Sequence, residues 1–237
     1  MNGSARIFLQ DAFLLHRRPY RETSLLIDVL TRDHGLVGMI AKGAMRGRGA
    51  HAALLRPFVP LAVSWAGRSG LPILTEVEGR GSAPGLSGKS LYCGFYLNEL
   101  LMRLLPAHDP HPDLFVRYEH ALGAIRENGA LEPALRLFEL ALLDQLGYGP
   151  EFAHEGESGR AIQADGYYRY DVEKGVYPAQ PGAGSLRGAT LLGLRAGRLS
   201  GDQSLDEAKR LMRAILHHHL GGRPLKSRDL FKFTHST

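Results

Sequence analysis

The hydrophobic period of this chain switches once, near residue 85. Before the switch, short apolar runs sit between turn signals: Asp11–His16, Thr23–Thr31, Leu36–Ile40, Pro57–Trp65 and Leu71–Val77. After it, apolar residues recur every third or fourth position. A period of two lines one face of a strand and a period near 3.6 lines one stripe of a helix, so the two parts cannot share one kind of layer. Strand runs at roughly ten-residue spacing predict a small antiparallel barrel. In the cleanest run, Val59, Leu61, Val63 and Trp65 fall on one face and Pro60, Ala62 and Ser64 on the other. Gly79–Gly88, containing Ser82, Ala83, Pro84 and Gly85, is a candidate linker.

The remainder reads as helices around one irregular insert. Leu91, Phe95, Leu97, Leu101 and Leu104 share a face that ends at Pro106, and a second helix runs from about Pro112 to Glu127. A third follows Gly129, with Leu135, Phe138, Leu142 and Leu146 on one face and Gly147 as its C-cap. Periodicity lapses over 150–185, where Tyr167, Tyr168, Tyr170, Val176 and Tyr177 predict a hairpin about Glu173–Gly175. It returns over Gly188–Ala196 and over Ser204–Leu220, where Ser204 and Glu207 have capping-box spacing. The expected architecture is α+β in two domains: a barrel over 1–80, a linker over 81–88, and a helical domain over 89–237 with an insert at about 150–185.

Charge is distributed along the same division. Residues 1–80 hold eleven Lys and Arg against six Asp and Glu, an excess equal to the +5 of the whole chain. The densest cluster, Ala41-Lys-Gly-Ala-Met-Arg-Gly-Arg-Gly49, lies between two strand runs. Glycine backbone and flexible cations suit a polyanion bound without sequence readout, although a solvated hairpin loop explains the same residues.

Other function classes lack support. Gln10 and Asp11 interrupt the apolar N-terminal residues, so no secretory h-region is read there, and Asn98, Glu99 and Arg103 break the longest apolar stretch. The lone Cys93 permits no internal disulfide and reads as a small core hydrophobe, consistent with a reducing cytoplasm. His217, His218 and His219 are consecutive on a helix, about 100° apart, and cannot converge on one ion; they read as a polar helix end suited to the dipole. His108 and His111 fall in a Pro-rich turn where Asp109 or Asp113 serves as an N-cap. Asp165, Asp171 and Glu173 have no spacing that identifies a two-metal site. Phosphate-loop, G-x-S-x-G, H-E-x-x-H and C-x-x-C patterns are all absent.

A series of segments then carries a resemblance. In order they are Leu15-His-Arg-Arg-Pro-Tyr-Arg-Glu-Thr-Ser24, Ala41-Lys-Gly-Ala44, Leu55-Arg-Pro-Phe58 and Gly88-Lys-Ser-Leu-Tyr-Cys-Gly-Phe-Tyr-Leu-Asn-Glu-Leu-Leu101. Ala134-Leu-Arg-Leu-Phe-Glu-Leu140, Leu146-Gly-Tyr-Gly149 and Leu225-Lys-Ser-Arg228 complete the series. Over nearly the whole chain this order resembles the bacterial recombination mediator family RecO. The resemblance implies an N-terminal oligonucleotide-binding (OB) barrel and a helical C-terminal domain. It implies binding and annealing of single-stranded DNA, with duplex DNA left open as a further ligand. It also implies help to RecA in displacing the single-stranded-DNA-binding protein during gap repair, with RecR as partner, in the cytoplasm at the nucleoid. Many relatives bind a structural zinc through two cysteine pairs. Here Phe152-Ala-His-Glu-Gly-Glu-Ser-Gly159 has none, so no metal or other cofactor is expected, and the insert must be held by packing, through its tyrosines.

Candidate site residues follow. A strand annealer must neutralise phosphates while leaving base edges free. Arg17, Arg18 and Arg21 flank the first strand, Lys42, Arg46 and Arg48 supply the loop, and Arg56 and Arg68 border later strands. Tyr20, Phe58 and Trp65 are candidates for base stacking, though Phe58 and Trp65 also fit a buried strand. The family's partner protein ends in an acidic tail with a C-terminal phenylalanine, which calls for an apolar pocket with a guanidinium at its mouth. Arg136 matches the family motif and Arg103 has a comparable setting; a helical ion pair of Arg136 with Glu139 or Glu132 is the competing reading. Two other function classes stay open: an adapter whose basic barrel only steers a protein partner, and a nuclease, for which the sequence offers no metal site.

Overall fold

The computed structural model describes residues 6–46, 53–67, 70–126 and 131–230, apart from the side chain of Arg46. Five strands form a closed barrel: β1 (Arg6–Tyr20), β2 (Ser24–Thr31), β3 (Gly35–Ala41), β4 (Pro60–Ala66) and β5 (Ile73–Gly79), in the order β1-β2-β3-β5-β4. The first strand is longer than its apolar run predicts because it serves two neighbours. Arg6–Phe13 pairs with β4, and Ala12–Tyr20 pairs with β2. The ring closes where β3 meets β5 in parallel at Ile40 and Ile73. Leu14, Ile27, Val29, Met39, Leu61, Val63 and Trp65 fill the interior. The predicted inward set of β4 is therefore correct, but Ala62 and Ser64 on its other face are buried as well. Phe58 is buried outside the strand. It precedes β4 at φ +69, and its ring lies against Phe95 at 5.2 Å. Gly94 is what admits that ring, since a Cβ there would lie 2.8 Å from it.

The helical part contains α1 (Gly88–Leu104), α2 (Pro112–Arg126), α3 (Leu131–Gln145), α4 (Gly188–Arg195), α5 (Asp202–His219) and a short α6 (Ser227–Leu230). A three-stranded sheet, β6 (Tyr167–Asp171), β7 (Gly175–Pro178) and β8 (Leu186–Arg187), supplies the predicted hairpin and adds one strand, in the order β7-β6-β8. Two capping expectations need correction. Helix α5 starts at Asp202, and Glu207 does not cap it: its carboxylate accepts the Arg187 N–H at 2.8 Å, the Thr190 hydroxyl at 2.6 Å and the Gln203 side-chain amide at 2.9 Å. Buried at 4% exposure, a carboxylate gains more from these fixed donors than from a frayed helix end. In α2, Asp113 is the second helical residue and does not cap, while Asp109 pairs with His111 at 3.2 Å.

Packing divides the chain into two compact units: the described residues up to Arg126 with those from Leu225 onward, and Glu127–Pro224. In the first, Phe13 packs on Phe115 and Tyr118 at 5.3 and 5.1 Å. The buried Asn98 donates to the Leu15 carbonyl at 2.9 Å and accepts the Tyr118 hydroxyl at 2.6 Å. Gly35, at φ +65, lets the turn after α1 approach, because a Cβ there would meet the Asp109 carbonyl at 2.1 Å. In the second, Lys209 bonds Glu132 at 2.7 Å between α5 and α3. Tyrosines do hold the insert: the Tyr168 hydroxyl accepts the Gln163 N–H at 2.9 Å, and Tyr170 packs edge-on to Phe152. Among the described residues, no helix is long and apolar enough to cross a membrane.

Candidate nucleic-acid interface

Backbone geometry at one end of the β1–β2 hairpin brings the basic residues together. Residues 21–23 form its tight turn, with Arg21 at φ +54 and its guanidinium 5.2 Å from the Tyr20 ring. The Thr23 carbonyl accepts the Met45 N–H at 2.9 Å, which fixes the short 3-10 turn Ala44–Arg46 against the hairpin tip. Gly43, at φ +69, provides the reversal between Lys42 and that turn. Leu25 pairs with Ala41 in the ladder, so Arg21 and Lys42 stand on adjacent connections. Arg17 joins a third segment by donating from Nη1 to the Leu55 carbonyl at 2.8 Å, beside Arg56.

The electrostatic surroundings differ from those of Arg32 and Arg80, also on the barrel. Arg32 pairs with Asp11 at 3.6 Å and Arg80 with Glu78 at 3.8 Å. Arg17, Arg18, Arg21, Lys42 and Arg56 are exposed, and none forms an ion pair with a described acid. Cations without a local carboxylate are free to neutralise phosphate. Arg48 and Arg68 lie outside the described residues, and Arg46 is described only as part of its turn. Beyond Phe13, β1 pairs with β2 and no longer with β4, so Arg17, Arg18 and Pro19 also guard an exposed edge against strand addition.

The stacking candidates separate. Trp65 belongs to the barrel core, edge-on to His34 at 5.2 Å, and Phe58 is buried against α1; neither ring is open to a base. Tyr20 is half-buried beneath Arg21. Phe8, missed at the sequence level, is 64% exposed in a bulge of β1. The signal was the adjacent Phe8 and Leu9, which break strand alternation just before the first recognised run.

The two candidate tail-binding arginines lie in different compact units. Arg136 is 5% exposed and pairs with Glu139 at 2.8 Å, while Glu132 is taken by Lys209. Arg103 pairs with Glu99 at 3.2 Å along α1. Burial opposes ionisation of Glu99, but the N–H groups of Ser227 and Lys226 and the Arg103 charge outweigh it and lower its pKa. At the end of α5, His219 stacks on Tyr148 at 4.6 Å. Its burial and the neighbouring His218 lower its pKa. Among the described residues, no three or more His, Cys, Asp or Glu side chains converge as metal ligands. The second unit also has an open groove of about 430 Å3 lined by Arg169, Tyr177 and Arg210, to which no sequence motif pointed.

Comparison with known proteins places the chain among relatives over nearly its whole length. The family profile "Recombination protein O N terminal" matches residues 6–83, and "Recombination protein O C terminal" matches residues 86–229. The chain is 53% identical over 228 residues to a DNA repair protein RecO of Methylococcus capsulatus, covering 96% of this chain and 94% of that one. It is 46% identical over 230 residues to the protein of that name from Nitrosococcus oceani, covering 96% and 94%. With that of Azoarcus sp. it shares 44% over 233 residues, covering 96% of each chain.

Proposed function

This chain belongs to the RecO family of DNA repair proteins, non-enzymatic recombination mediators, and from that premise we propose that its barrel binds and anneals single-stranded DNA. The observation that carries this reading is the group Arg17, Arg18, Arg21, Lys42 and Arg56, exposed and without ion pairs to described acids. Such a group, with Arg46, Arg48 and Arg68 as further members, grips two flexible polyanions by their phosphates. Watson–Crick edges then stay free to find each other. In gap repair the protein works with RecR and helps RecA displace the single-stranded-DNA-binding protein, in the cytoplasm at the nucleoid. No cofactor takes part. Residues 1–80 act as the DNA-binding domain and 89–237 as the helical domain, a division supported by the change of hydrophobic period.

The helical domain takes the acidic, phenylalanine-terminated tail of the single-stranded-DNA-binding protein, with Arg136 or Arg103 at the pocket mouth. For Arg136 this requires the guanidinium to turn from Glu139 toward the peptide carboxylate. Salt titration of binding to a labelled oligonucleotide tests the central reading. Counterion release predicts a log K against log salt slope of about −0.7 per neutralised phosphate on single strands. A protein adapter would show weak binding and no comparable slope.

A further inference from the structure

We propose that Phe8 is a base-stacking platform for single-stranded DNA on this surface, an inference that rests on the DNA-binding reading above. Strand β1 is broken near its start. Regular alternation would send one of Phe8 and Leu9 into the barrel. Instead the β1–β4 register shifts between Ile7 and Gln10, Leu9 adopts φ +46, and both side chains face solvent at 64% and 44% exposure.

The bulge is built into the fold. The Leu9 N–H donates to the hydroxyl of Ser64 at 3.0 Å, and that serine, 1% exposed, donates in turn to Glu76 at 3.4 Å. A buried serine on β4 thus supplies the acceptor for an N–H displaced from the ladder. A left-handed leucine that displays two large apolar side chains is a strained feature that stability alone does not explain.

Phe8 is also close to the cations along the ring. Arg6 pairs with Ala66, Ala66 with Ile73, and Ile73 with Ile40, which precedes Lys42 by two residues. Each step between strands is about 4.8 Å. Leu71, 45% exposed, lies over β3 at Gly38 along the same path. Arg6 therefore stands two residues before Phe8 on β1, with Lys42 three strands away around the ring and the exposed Leu71 between them at the β3–β5 side. A single strand offers both charged phosphates and open base faces to such a surface, over a length suited to the four or more nucleotides an OB barrel engages. A duplex keeps its base faces stacked inside and has nothing for Phe8 to meet.

The test uses the full chain with three labelled probes: oligothymidylate, an abasic oligonucleotide of equal length, and a duplex. Wild type should bind oligothymidylate more tightly than the abasic strand. Phe8→Ala should lose roughly 5- to 100-fold on oligothymidylate only, with an unchanged salt slope, and Phe8→Trp should retain binding. Because Phe8 is exposed, its truncation should leave the fold intact, and circular dichroism of the variant checks this. Salt-dependent binding with no preference for bases, or an unaffected Phe8→Ala, would overturn the stacking role while leaving the DNA-binding reading intact; the bulge would then serve a protein partner. Absence of salt-dependent binding in wild type would overturn both.

Discussion

The Arg136 guanidinium lies 2.8 Å from the Glu139 carboxylate, with the two side chains 7% and 0% exposed. One turn of α3 therefore holds a desolvated ion pair. The pair is the ground state from which any peptide-binding role of Arg136 must start. Removing one member takes the opposing charge away from a buried group, which costs far more than loss of an exposed pair.

Arg136→Ala should destabilise the fold by about 3–5 kcal/mol, whereas Arg136→Met combined with Glu139→Leu should recover much of that loss. Thermal denaturation of both variants measures this. Titration of the double variant with an acidic, Phe-terminated peptide then isolates binding from folding. If the tail site uses Arg136, affinity should fall about ten- to a hundred-fold, the equivalent of about 1.5–3 kcal/mol for a charge-assisted bond.

Replacing Lys42, Arg46 and Arg48 together by Ala should weaken single-stranded DNA binding and flatten the salt slope by about 0.7 for each phosphate no longer neutralised. Lys42 is exposed, so its truncation should leave the folding stability within about 0.5 kcal/mol of wild type. Unchanged affinity and slope would remove this loop from the interface.

Glu99 predicts an acid-sensitive contact. Its carboxylate accepts the Ser227 N–H at 2.8 Å and the Lys226 N–H at 3.0 Å, which fastens α6 to α1. Its pKa is lowered in the fold, so its stabilisation is present above the unfolded value, about 4.3, and is lost as pH falls through the folded value. Glu99→Gln should cost about 1 kcal/mol at neutral pH after solvent screening. Melting curves of the two proteins should converge on acidification; a gap that persists at low pH would show that the charge is irrelevant.

Chelation should leave the second unit intact. The Phe152–Gly159 segment carries no cysteine, and its neighbours are held by the Tyr168–Gln163 bond and the Phe152–Tyr170 contact. Stoichiometric zinc that survives dialysis against chelator, or a melting temperature lowered by it, would contradict this.

Periodicity alone determined the succession of elements in this protein. Strand runs and helix faces are properties of neighbouring residues, so the barrel, the helices and the Glu173–Gly175 hairpin were legible without a fold. Excess positive charge likewise singled out the barrel as the candidate polyanion-binding part. Relationships across the chain were decided only in three dimensions. Glu207 has capping-box spacing, yet donors from Arg187 and Thr190, brought near by folding, offer a buried carboxylate better partners. Phe58 and Trp65 carry the same aromatic signal as Phe8, but packing against α1 and in the barrel core removed the first two from solvent. Phe8 was left exposed because a hydroxyl on β4, 55 residues away at Ser64, could take up the N–H of Leu9. Local pattern specifies what a segment can form; which side chain remains free to act depends on the partners that tertiary contacts bring to it.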